Sequence, residues 1–104
     1  MTGLIVLTTS PDLKTAQSIA QLLIEKKAAA CVSFKEGFRS YYRWKGKMER
    51  VRETLLLIKT TPKKFHLVEK LIKKNHPYEV PEVISLAPAG VSKAYGAWIE
   101  SVLK

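Results

Sequence analysis

Few side chains in this sequence could take part in metal or covalent chemistry. Cys31, His66 and His76 are its thiol and imidazole groups, and the carboxylates Glu79 and Glu82 follow His76 closely. A transition-metal centre needs Cys, His or carboxylate groups that converge in space. No Cys or His is paired here at the spacing of a closed site. What remains is an open one, His76 with Glu79 or Glu82, joined by Cys31 if the fold brings it near. Each residue has a plainer reading beside this one. Cys31 lies in Ala29-Ala30-Cys31-Val32, where a lone thiol packs as a small core residue. His76 precedes Pro77, where an imidazole can bond the backbone of a turn, and the proline-flanked Glu79 and Glu82 suit solvation or salt bridges. His66 sits in a charged stretch and reads as exposed.

Other chemistries leave weaker traces. There is no Gly-x-Ser-x-Gly elbow, no Ser-His-Asp order and no pair of acids in an apolar setting. There is no Gly-rich phosphate loop; a helix starting at Ser10-Pro11 offers only the generic anion affinity of helix ends. A basic chain with strand aromatics brings single-stranded RNA readers into view, but their Gly-aromatic run is missing. The corresponding positions read Val51-Arg52-Glu53-Thr54-Leu55, and the lysines and arginines are scattered. The pattern argues against nucleic acid and for a solvated basic surface.

The elements that must position these residues follow from hydrophobic period. Residues 3–9 are a continuous apolar run, a strand buried on both faces. Ser10-Pro11-Asp12 is a helix start, and Leu13, Ala16, Ile19, Ala20 and Leu23 give an apolar stripe that ends near Lys26-Lys27. Residues 29–35 alternate as a half-buried strand. Gly37 predicts a bulge, and the strand resumes from Phe38 to Trp44. Lys45-Gly46 is a hairpin tip, and residues 47–53 alternate with charges as a partly solvated strand before the apolar run at 55–58. Leu57-Ile58-Lys59-Thr60-Thr61-Pro62 then echoes Val6-Leu7-Thr8-Thr9-Ser10-Pro11. A second helix with Phe65, Val68 and Ile72 inward stops at Asn75 ahead of His76-Pro77. Glu82 to Ala87 is a fourth strand, and Ser92 caps a last helix with Tyr95, Trp98, Ile99 and Val102 on one face.

This order, β-α-β-β-α-β-α in two echoing halves, is the split βαβ of an α+β, ferredoxin-like sandwich with an extended β-hairpin and a C-terminal helix. The two apolar strands belong at the centre of its sheet. The hairpin is longer than a small sheet needs and carries Phe38, Tyr41, Tyr42, Trp44 and Met48. Exposed aromatic strands invite pairing, so self-association is expected.

Composition bounds the rest. A chain of 104 residues is one domain, residues 1–104, since domains cluster near about 100–150 residues. One Cys excludes an internal disulfide framework, and no apolar run approaches the ~20 residues of a membrane span. The opening Met-Thr-Gly-Leu-Ile-Val-Leu lacks a basic region and cleavage site, so a cytoplasmic location is expected. One Asn and two Gln beside 18 Lys and Arg fit a thermophile. The net charge of +9 admits a polyanion, an anionic ligand or plain solubility.

Some of these segments are distinctive together: Ala29-Ala30-Cys31-Val32, Gly37, Ser40-Tyr41-Tyr42-Arg43-Trp44-Lys45-Gly46, Glu53, Ile58-Lys59-Thr60, His76-Pro77-Tyr78-Glu79-Val80-Pro81-Glu82, Tyr95 and Trp98. They resemble the CutA family of divalent-cation tolerance proteins over nearly the whole chain. The resemblance implies a ferredoxin-like subunit in a tight homotrimer, similar in assembly to the PII nitrogen-signalling proteins. It also implies a cytoplasmic location, a link to copper and other divalent metals, and no catalytic activity. It makes the hairpin residues Phe38, Tyr42, Trp44 and Met48 trimer contacts. Bacterial members with a described copper site have a Cys at the end of strand one and a His-His pair before Pro-Tyr. Here those positions read Thr8 and Asn75-His76, so only His76 carries over. Ser33 and Lys35-Glu36 also depart from the family pattern. The expected cofactor is Cu(II) or another divalent cation at His76 with Glu79, with Cys31 as a further candidate. The alternative is a small anionic ligand in clefts between subunits, lined by Tyr78 and basic residues such as Lys59.

Overall fold

The computed structural model describes residues 3–104. Four strands, β1 (Leu4–Ser10), β2 (Cys31–Trp44), β3 (Lys47–Thr60) and β4 (Ile84–Leu86), form one sheet in the order β2-β3-β1-β4. All pairings are antiparallel. The helices are α1 (Leu13–Glu25), α2 (Phe65–Asn75) and α3 (Lys93–Val102). This is the α+β, ferredoxin-like arrangement expected. The apolar strands β1 and β3 occupy the centre, and the charge-bearing β2 and the short β4 take the edges.

Strand period two separates the faces of the sheet. Leu4 and Val6 of β1 and Leu56 and Ile58 of β3 point to one side. There they pack with Ala16, Ile19 and Leu23 of α1 and Val68 and Ile72 of α2. The other side carries Ile5 and Leu7, their register partners Lys59 and Leu57, and Leu86 and Ile84. Leu57, Ile84 and Leu86 are exposed there.

Several boundaries differ from the sequence reading, each for a local reason. Ser10 belongs to β1, and Asp12 caps α1 instead: its carboxylate accepts from the Thr15 N–H at 2.8 Å, while the Ser10 hydroxyl donates to the Asp12 carbonyl. That N–H is the largest cause holding the Asp12 carboxyl below its ordinary range. At the far end Lys27 turns the chain out of α1 at φ +56°. The fourth strand shrinks to Ile84–Leu86, between Pro81 and Pro88, which donate no N–H to a ladder. On α3 the buried residues are Gly96 and Ile99, while Tyr95, Trp98 and Val102 remain exposed. Ser92 caps α3 as expected, accepting from the Tyr95 N–H. β2 is one continuous strand whose bulge lies between Lys35 and Phe38, with Gly37 at φ +79°. Lys45 and Gly46, both at positive φ, form the hairpin tip. The hairpin draws the subunit out to 44 × 27 × 22 Å.

Candidate functional site

The segment after α2 crosses back to the end of β1, and His76 fastens it there. The ring is buried, its Nε2–H donates to the Thr9 carbonyl at 2.6 Å, and its Nδ1 accepts the Tyr78 N–H at 3.1 Å. Both ring nitrogens therefore serve the backbone, in the Nε2–H tautomer. A metal at either nitrogen would displace one of these bonds.

Tyr78, set against the His76 ring at 4.7 Å, reaches β3. Its hydroxyl donates to Glu53 Oε2 at 2.8 Å. Glu53 is only 5% exposed. Sequence pattern placed it in a partly solvated strand, because Val51-Arg52-Glu53 alternates like a surface; the crossing loop covers it instead. Burial first, and then the Glu53 carboxylate, drive the Tyr78 phenol far above its ordinary range, so it stays a neutral donor. Burial and the same Glu53 charge also raise Glu82. Among the described residues the ion pairs are those of Glu69 with His66 and Lys73, so Glu53 has no cationic partner there.

These residues line a groove of about 700 Å³ between the hairpin and the 77–82 segment. Tyr42, Trp44 and Tyr78 contribute aromatic surface, and Glu53, Glu79 and Glu82 contribute carboxylates. Arg39 is the single basic side chain of the lining. A chain of net charge +9 thus holds a locally acidic groove.

The other expected residues lie elsewhere. Cys31 starts β2 opposite Lys59, at the end of the sheet remote from Thr9 and His76. Its Sγ is 3.9 Å from Lys59 Nζ, which donates to the Ser33 hydroxyl at 2.6 Å. Tyr95 adjoins this thiol; burial, then Cys31, raises its phenol. Lys59 and Tyr78 do not share a cleft within one chain, because Lys59 is absent from the groove lining. Glu79 lines the groove and is exposed, but no group of three or more His, Cys, Asp or Glu side chains among the described residues is placed to hold a metal ion. The donor set does not fit a closed copper centre: its nitrogen ligand is engaged, its sulfur is remote, and Thr8, at the copper-site Cys position, has its hydroxyl buried without a partner. Of the expected trimer contacts, Phe38, Tyr42, Trp44 and Met48 are all exposed on the single chain, and Tyr42 and Trp44 also line the groove.

A ferredoxin-like sheet, a long aromatic hairpin and a His-Pro-Tyr segment locked onto β1 define a small α+β class of tolerance protein. The chain belongs to the CutA1 divalent ion tolerance protein family, whose pattern matches residues 4–102, and this is a family of non-enzymatic tolerance proteins. It is 40% identical over 95 residues to the divalent-cation tolerance protein CutA of Thermus thermophilus, covering 91% of this chain and 92% of that one. The crystal structure of CutA from Xylella fastidiosa superposes with a TM-score of 0.95 at 33% identity, covering 98% of each chain. A CutA from Archaeoglobus fulgidus, described as periplasmic, matches with a TM-score of 0.95 at 31% identity, over 98% of this chain and 99% of that one. No helix among the described residues is long and apolar enough to cross a membrane.

Proposed function

We propose that this chain serves divalent-cation tolerance as a homotrimer that holds cationic ligands in the groove beneath its hairpin. The carrying observation is Glu53, a carboxylate 5% exposed, bonded to the Tyr78 hydroxyl and lacking any cationic partner among the described residues. Burying a carboxylate without a counter-charge is costly, so such a group is the natural seat of a bound cation. Glu79 and Glu82 extend the same sign outward. Bare Cu(II) or another divalent ion binds here weakly, through Glu79 and Glu82, because no closed ligand set converges. His76 positions the Tyr78 loop. Assembly is supported by two apolar surfaces that one chain leaves open: the hairpin residues Phe38, Tyr42, Trp44 and Met48, and Leu57, Ile84 and Leu86 on the sheet face opposite α1 and α2.

Calorimetric titration with Cu(II) at neutral pH tests the site. The expected result is weak binding that Glu82→Gln and Glu79→Gln reduce together. Binding unchanged in both variants but abolished by His76→Ala, in protein that still melts cooperatively, would move the site to the imidazole and overturn this reading.

A further inference from the structure

We propose that the arginine side of the hairpin binds single-stranded nucleic acid, with phosphates held by Arg39, Arg43, Arg50 and Arg52 and a base stacked on Tyr41. Every arginine of the chain lies in this hairpin. Strand register puts all of them on one side: Arg39 stands opposite Arg52, Tyr41 opposite Arg50, and Arg43 opposite Met48. Along β3, period two places Arg50 and Arg52 on the side of Leu56 and Ile58, which α1 and α2 cover. Phe38, Tyr42 and Trp44 oppose Glu53, Glu49 and Lys47 and so point the other way, with Leu57. The apolar surfaces read as contacts between copies therefore lie across the sheet from the arginines; Met48, near the tip, is the exception. The cations are scattered in sequence, which argues against nucleic acid, but the fold gathers them. The arrangement is costly by itself, because like charges in register destabilise a strand pair. No arginine is in an ion pair among the described residues. Each guanidinium thus keeps free the fork of donors that matches a phosphate. Tyr41, 69% exposed, is the most exposed aromatic among the described residues. The Arg50 guanidinium carbon lies 5.8 Å from its ring centre. A cationic track with an exposed ring in it suits unpaired strands, since every base has a face to stack. On the same side of the sheet, α2 exposes Lys63, Lys70 and Lys74, which extend the attractive field for a polyanion.

The test is fluorescence anisotropy of a labelled oligothymidylate with the full-length protein, in KCl from about 0.05 to 0.2 M, with sedimentation of each variant in parallel. Phosphate contacts from the arginines, at a salt slope of about −0.7 each, should lower affinity about fiftyfold across that range. Arg50→Gln is expected to weaken binding and to make the log–log slope shallower by about 0.7. Lys47→Gln removes the same charge from the other side of the hairpin and should leave the slope in place. Tyr41→Ala should weaken binding about tenfold with no change of slope, and Tyr41→Phe should restore it. Equal effects of Arg50→Gln and Lys47→Gln would overturn the proposal, by making the attraction a property of net charge alone. Binding indifferent to Tyr41→Ala, with a duplex and inorganic polyphosphate competing as well as the single strand, would replace it with a general polyanion surface. An oligomer that dissociates in Arg50→Gln would place the arginines between copies and overturn it as well. So would absence of binding at the lowest salt.

Discussion

At the scale of single residues, two polar groups cost stability in different ways. Thr8 is fully buried among the core-facing residues of β1, and its hydroxyl has no hydrogen-bond partner among the described residues. A buried hydroxyl without a partner costs about 1–3 kcal/mol in protein mutational data. Thr8→Val keeps the branched shape and removes the orphan, so urea unfolding should show a gain of about 1 kcal/mol. A loss of stability would mean the hydroxyl has a partner, such as a water, that the variant strands. Glu82 costs stability through its charge instead. Burial and the Glu53 charge raise its pKa above the ordinary glutamate value. A raised carboxyl pKa means the folded chain binds more protons than the unfolded one between the two values. Glu82 therefore opposes folding at neutral pH, and stability recovers as pH falls through its folded pKa. Glu82→Gln should flatten that segment of the stability profile and melt slightly higher than the parent at neutral pH. Melting curves taken from neutral pH down into the carboxylate range check this, and identical slopes for the two proteins would contradict it. A bound cation in the groove should flatten that profile only in part, because it offsets the Glu53 charge and leaves burial, the larger cause, in place.

At the scale of elements, local chemistry was legible where neighbours in sequence decide it, and lost where the fold brings distant segments together. The apolar runs at 3–9 and 55–58 identify the central strands of the sheet, although the face away from α1 and α2 is not covered on the single chain, where Leu57 is exposed. The Gly37 bulge and the Lys45-Gly46 tip were legible for the same reason, a backbone demand met by one residue type. The hairpin's aromatics marked it as a surface in need of cover. By contrast, Glu53 reads as a surface charge in its own strand. Its burial comes from a loop 25 residues further on, fastened by His76 to Thr9. The available signal was chemical: His-Pro-Tyr fixes an extended segment with two polar rings, and a buried Tyr hydroxyl needs an acceptor. The misplaced cap is a smaller case. Ser10, Pro11 and Asp12 include two capping types within three residues, and the winner is the one whose oxygen reaches the free N–H of Thr15. The exit of α1 carries its own prediction. Lys27 adopts φ +56°, the left-handed conformation that glycine takes at helix C-termini, while its N–H and that of Ala28 bond back to Ile24 and Leu23. Lys27→Gly should remove that strain, offset in part by the entropy of a freer unfolded chain, for a net gain of about 0.5 kcal/mol. Lys27→Ala keeps the Cβ and should not reproduce it. Equal gains from both would assign the effect to charge.

At the scale of the whole molecule, the surfaces left open on one chain and its net charge pull against each other. Leu57, Ile84, Leu86 and the hairpin residues favour association, since uncovered apolar strand faces are unstable in water. Within the proposed trimer, Trp44→Ala should cost about 3–5 kcal/mol of assembly, the scale for deleting a packed aromatic, and sedimentation should then show smaller species at micromolar concentration. Association also brings together chains of charge +9 each. The groove, with Glu53, Glu79 and Glu82 against the single basic Arg39, departs from that sign. The hairpin sharpens the conflict: Arg39 lies directly opposite Arg52, and like charges in register destabilise a strand pair. Salt shortens the reach of all these repulsions, from about 30 Å at 0.01 M to about 8 Å at 0.15 M, while leaving apolar contact intact. An oligomer held by apolar surface against like charge should therefore tighten as salt is added. A concentration series by sedimentation in KCl should show the dissociation constant falling across that range, with the melting temperature rising in parallel. An oligomer that loosens with salt would instead be joined by opposite charges, with the Arg-rich hairpin of one copy lying on the acidic groove of the next.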